Sequence, residues 1–137
     1  WLLRGYREGM RDAGLTYRRK WEVFVPITPQ GAEQVLDTLD HLSPQPTAVI
    51  CFSNALAAFL CDAAERREIR VPEELSVVGG GGGDVIGLTC TQLDWYELGR
   101  SAMRMLLQAM EAGDAYQAEH QLVDYELKLG RTTCPPA

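Results

Sequence analysis

The sequence predicts an α/β fold: a three-layer sandwich with a mainly parallel sheet and helices on both faces. Two observations carry this expectation. Short apolar runs alternate with segments of 3.6-residue periodicity in the order βαβαβ, and short connections between such units favour parallel strands. The chain has 137 residues, 46% hydrophobic and 23% charged, enough for one domain around one core.

The elements follow in order. Leu3, Tyr6 and Met10 recur at spacings of three and four among Arg4, Arg7, Glu8 and Arg11, and Gly14 supplies a stop, so a helix is expected over 3–13. Residues 21–27 are rich in aromatic and β-branched side chains and read as a strand, with Thr28-Pro29 opening the next helix. That helix, over 31–42, places Val35, Leu36, Leu39 and Leu42 on one face. The prolines of Ser43-Pro44-Gln45-Pro46 end it. The nearly all-apolar run 47–52 reads as a strand covered on both faces. Ser53-Asn54 can cap a helix over 54–67. A strand at 75–78 runs into five glycines, Gly79 to Gly83, and another strand is expected at 88–93. Asp94 and Glu97 form a capping pair for a helix over 95–111, and alternation from Gln121 to Leu129 suggests a last strand.

Composition removes several function classes. The longest apolar stretch, Ala55 to Cys61, falls far short of the ~20 residues of a membrane span, and no basic-then-apolar signal opens the chain, so we expect a cytoplasmic protein with no membrane partner. A net charge of −6 opposes binding to phosphate backbones by this chain alone. Cys51, Cys61, Cys90 and Cys134 match no zinc spacing and read as reduced structural thiols; neither a metal nor a cofactor is expected. The glycine run lacks a glycine at 84, 85 or 86 and lacks Gly-Lys-Ser/Thr, so it fails both phosphate-loop fingerprints and reads as a flexible connector. Asp84 or Cys51 at a strand end has no accompanying base or metal set to make an enzyme, and no catalytic residue is assigned. In a parallel sheet, ligands bind beyond the carboxyl ends of the strands, which places a site near Ser53-Asn54 and the glycines.

Three blocks carry a family resemblance: R-G-Y-R-E-G-M-R-D-A-G-L at 4–15, P-T-A-V-I-C-F-S-N-A-L-A at 46–57 and I-R-V-P-E-E-L-S-V-V-G at 69–79, with L-T through D-W-Y-E-L-G-R at 88–100 following. Their order and content resemble the lactose-repressor/galactose-repressor (LacI/GalR) family nearly from end to end. The resemblance implies a bacterial transcriptional repressor, in which a two-lobed, type I periplasmic-binding-protein-like sensor binds a small-molecule effector and modulates DNA binding by a separate N-terminal helix-turn-helix. It further implies that residues 1–137 are a fragment of that effector-binding domain, the C-terminal lobe plus the closing segment, reaching operator DNA only through the helix-turn-helix this chain lacks. A periplasmic sugar-binding protein fragment of the same fold is the alternative.

By position within the family pattern, the effector contacts fall at Ser53, Asn54 and Trp95, with Asp84 as a replacement for a carboxylate after the third strand. Ser53 and Asn54 serve equally as a helix cap, and Trp95 equally as a packing residue. The family's clamping arginine falls at Leu2, its aromatic platform at Ile27 and its acidic residue near Gly81, so a sugar-like small-molecule effector meets few polar groups here. A homodimer is expected through the face of helix 54–67 that carries Leu56, Phe59, Leu60 and Ala63.

Overall fold

A computed structural model of the chain describes residues 2–82 and 85–135. It contains helices α1 (Leu2–Asp12), α2 (Pro29–Asp40), α3 (Asn54–Arg66) and α4 (Trp95–Ala112), strands β1 (Ala48–Ile50), β2 (Ser76–Gly79), β3 (Thr89–Leu93) and β4 (Tyr125–Lys128), and two short 3-10 turns. The strands form one open sheet in the order β1-β2-β3-β4. β1 is parallel to β2 and β2 to β3, while β4 runs antiparallel to β3. This is the mixed α/β, mostly parallel architecture the sequence predicts.

The core lies between α2, α3 and one face of the sheet. Thr28 starts α2 by accepting a hydrogen bond from the Gly31 backbone N–H at 3.1 Å, and Pro29 occupies the first turn, where a missing N–H is harmless. Val35, Leu36 and Leu39 of α2 then pack with Leu56, Ala57, Leu60 and Ala63 of α3 over Val77 and Cys90. Alanines at 57, 63 and 64 are fully buried in α3, so their small side chains let that helix lie close to its neighbours. Arg66 and Arg67, at the end of α3, reach across to α2: both contact Glu33 at 2.7 Å, and Arg67 also contacts Asp37 at 2.7 Å. These guanidiniums hold the Glu33 carboxyl below its ordinary range.

Three expectations need correction. Residues 21–27 join no strand of the described sheet: a 3-10 turn covers Arg19–Trp21 and the rest is extended. Val23 and Val25 pack on the core while Phe24 is exposed, so the period of two is real but reflects packing, not ladder pairing. Pro26 also removes one backbone donor. Second, β1 is not covered on both faces, since Ile50 and Phe52 lie exposed. Third, Leu56, Leu60 and Ala63 are core residues covered by α2 and the sheet, so the proposed dimer face is consumed within the chain.

The β2–β3 connection is short for a parallel pair because the strands are staggered. Only Val78↔Thr89 and Gly79↔Cys90 are in register, so β3 starts where β2 ends and the chain need not return along the whole strand. The C-terminal segment fills the resulting gap. Thr132 Oγ1 donates to the Val77 carbonyl at 2.7 Å and accepts from the Thr89 N–H at 3.0 Å, and the Thr132 carbonyl accepts from the Val77 N–H at 2.7 Å.

Candidate functional site

The carboxyl ends of β1, β2 and β3 converge where the chain turns into α3, into the glycine run and into α4. Ser53 is the N-cap of α3, its Oγ accepting from the Ala55 N–H at 3.2 Å. Asn54 is 5% exposed and ties this corner together: its backbone N–H donates to the Gly80 carbonyl at 2.9 Å and its Nδ2 to the Gly82 carbonyl at 3.0 Å. Asp94 caps α4 by accepting from the Glu97 N–H at 2.9 Å. The Glu97 carboxylate turns instead to Arg100 at 3.1 Å. That cap fixes Trp95 in the first helical turn, 56% exposed and beside Gly82.

The glycine run is a packed structure rather than a slack connector. A Cβ on Gly79 would land on Asn54 Oδ1 and lie 2.8 Å from Leu88 Cδ2; one on Gly80 would lie 2.9 Å from the Cys51 carbonyl oxygen. Gly81 and Gly82 both have φ of +81°, a backbone region that side-chain-bearing residues rarely adopt. A Cβ on Gly82 would sit 2.6 Å from the Trp95 indole nitrogen. Gly80 is thus held to glycine by close approach of backbone and Gly81 and Gly82 by backbone sign, while a side chain at 79 would displace Asn54 or Leu88.

Of the residues expected at the site, Asn54 and Trp95 converge on Gly82, and Ser53 lies at the same helix start. Asp84 lies outside the described residues. Phe52, 69% exposed at the end of β1, belongs to this corner too: its carbonyl oxygen would be 3.1 Å from a Cβ on Gly80 or Gly81. Sequence reasoning missed Phe52 and the packing role of the glycines. The sign was there, in a strand ending directly in glycines. Leu2 and Ile27 are half-exposed apolar residues.

The Cys51 thiol is pushed up to about 12 by burial and by the neighbouring Cys61, so it stays protonated and non-nucleophilic near neutral pH. Among the described residues no group of three or more His, Cys, Asp or Glu side chains is placed to hold a metal ion. Trp95, Tyr96, Arg100, Met103 and Leu107 share one open face of α4. No helix among the described residues is long and apolar enough to cross a membrane.

Comparison with known proteins places this geometry. The periplasmic binding protein-like domain family matches residues 1–133. The HTH-type transcriptional repressor CytR of Escherichia coli (strain K12) is 30% identical over 136 residues, covering 96% of this chain and 40% of that protein. The structure of a LacI family transcriptional regulator from Mycobacterium smegmatis superimposes with a TM-score of 0.80 at 28% identity, over 98% of this chain and 52% of that one. A LacI family transcriptional regulator from Enterococcus faecium with bound ribose gives a TM-score of 0.81 at 20% identity, over 98% of this chain and 51% of that one. The chain thus spans about half or less of the length of these relatives.

Proposed function

This chain belongs to the periplasmic binding protein-like domain family, as a LacI/GalR-type effector-binding domain, and from that premise we propose that it senses a small neutral molecule for a cytoplasmic transcriptional repressor. The chain is one lobe, and the effector sits against the carboxyl ends of β1–β3, touching Ser53, Asn54 and Trp95. Asp84 is a further contact in this reading. The carrying observation is the convergence of Asn54, Gly82 and Trp95 at the strand ends, the place where open parallel sheets bind ligands. The same fold holds ribose in the Enterococcus faecium protein, which supports a sugar-like ligand.

A second lobe completes the cleft in this reading. Met103, Leu106, Leu107 and Met110 form an exposed apolar stripe on α4, and β4 is exposed throughout, surfaces that suit cover by further polypeptide. Effector binding then changes how the lobes sit and so modulates DNA binding by a helix-turn-helix elsewhere in the regulator, with no catalytic step. A homodimer fits a different surface from the one first expected. Ile86, 94% exposed, stands at the rim of a groove of about 720 Å³ between the outer side of α3, at Ala58, Cys61 and Asp62, and residues 85–88.

Calorimetry on the full-length regulator tests the site. For any mono- or disaccharide that binds, Asn54→Ala and Trp95→Ala should each weaken affinity about five- to tenfold, the effect of losing roughly 1 to 1.5 kcal/mol. Binding undiminished in both variants overturns the assignment.

A further inference from the structure

We propose that Gly79 and Gly82 are positioning residues of the effector site: the space left by their missing side chains lets the buried Asn54 carboxamide brace the loop backbone and sets the orientation of the Trp95 indole on it. The inference rests on the reading of Asn54 and Trp95 as contacts and adds what sets their geometry. Two independent approaches carry it. At Gly79, a Cβ would clash with Asn54 Oδ1, so the carboxamide keeps its place over the end of β2 only while residue 79 has no side chain. At Gly82, the Nε1, Cε2 and Cζ2 atoms of Trp95 lie 2.6 to 2.8 Å from where a Cβ would be, well inside ordinary carbon contact. The two glycines are joined through Asn54, whose Nδ2 donates to the Gly82 carbonyl at 3.0 Å. One side chain thus fills the gap at 79 while gripping the backbone at 82, and the indole rests on the segment so held.

The arrangement explains why this loop is glycine where a side chain would otherwise contribute to binding. A larger residue at 82 would add a contact but displace Trp95, and one at 79 would displace Asn54. The wall of the site is therefore peptide backbone, braced from behind by the buried Asn54 carboxamide, and the half-exposed Trp95 indole is the side chain this backbone turns toward solvent.

Spectroscopy separates positioning from plain stability. In the full 137-residue chain labelled with ¹⁵N, Gly82→Ala should shift the Trp95 indole N–H cross peak, identified by its loss in Trp95→Phe, and leave the Trp21 peak in place. An unmoved Trp95 peak in a folded Gly82→Ala protein overturns the proposal. Thermal unfolding gives a second route that does not depend on one variant folding well. Alanine at 82 is strained by its positive φ in any background, so that part cancels in a double-mutant cycle with Trp95→Ala. The drop in Tm from Gly82→Ala should be smaller when Trp95 is Ala, and the drop from Gly79→Ala smaller when Asn54 is Ala. Equal drops in both backgrounds overturn the proposal. Neither readout needs an effector, so failed cycles overturn the positioning while leaving the binding reading untouched, and a failed binding assay leaves the measured coupling between the glycines and these side chains unchanged.

Discussion

Residues 29–93 and residues 94–129 solve the burial problem in opposite ways. In the first region α2 buries five of its twelve residues and α3 six of its thirteen, against each other and against the sheet. In the second, α4 is eighteen residues long and buries only Ser101, and the four residues of β4 are all exposed. Both helices are amphipathic in sequence, so periodicity alone does not separate them. The difference is where the partner surface lies. The core region carries its own, whereas α4 presents Met103, Leu106, Leu107 and Met110 to solvent. A helix stripe that the sequence marks as buried is a statement about some partner, not necessarily one within the same 137 residues.

The largest expected effect tests that contrast directly. Leu60 is fully buried, so Leu60→Ala should destabilise the chain by about 2 to 5 kcal/mol in urea unfolding, through lost transfer energy and the cavity left behind. Leu107→Ala, at an apolar position of α4 that is 46% exposed, should change stability by no more than about 0.5 kcal/mol. A loss at Leu107 comparable to that at Leu60 would mean that α4 is packed within the chain and would remove the contrast.

The seam between the first region and the C-terminal segment comes next. Thr132→Val keeps the shape of the side chain but deletes the hydroxyl that links the Val77 carbonyl to the Thr89 N–H, and Thr89 is buried. Leaving that donor unpaired should destabilise the chain by about 1 to 3 kcal/mol. Thr132→Ser, which retains the hydroxyl, should recover most of it. If Val and Ser behave alike, packing rather than hydrogen bonding closes the sheet there.

Much of the fold was legible because local signals agreed with tertiary ones. Thr28-Pro29, Ser53-Asn54 and Asp94 each read as helix starts and each caps its helix, because capping is decided within four residues. Residues 21–27 misled because a valine at every second position satisfies packing on a core as well as strand pairing, and only a neighbouring strand distinguishes them. The face at Leu56, Leu60 and Ala63 misled because one stripe cannot announce whether α2 or a second chain will cover it. At the candidate site, Ser53, Asn54 and Trp95 came from the family resemblance and from the strand-end rule. The glycines were visible as a run but not as a fit, since the atoms that crowd side chains there come from Cys51 and Asn54 at the β1–α3 turn and from Trp95 at the start of α4.

The smallest effect concerns how α1, which has no buried residue, stays attached. Its Arg7 lies 2.7 Å from Glu22 and over the Tyr17 ring at 5.5 Å, while the Tyr17 hydroxyl donates to the same carboxylate and Tyr6 meets Tyr17 edge to face. The tyrosine hydrogen bond, and then Arg7, hold the Glu22 carboxyl below its ordinary range. A carboxyl whose folded value is depressed contributes stability that is fully present above its unfolded value and is lost as pH falls through the folded one. Acidification should therefore release α1 before the α2–α3 core, seen as a change in the Tyr17 ring signals while those of core methyls such as Leu36 and Leu60 hold. Glu33, depressed by Arg66 and Arg67, titrates toward the same side, but the apolar contacts beneath it remain when it is protonated. Under α1 the charge cluster has no buried layer to fall back on. In Glu22→Gln the acid-dependent step should vanish and the Tyr17 signals should sit at their released position already at neutral pH; a step that persists would show that α1 is held by its apolar edge instead.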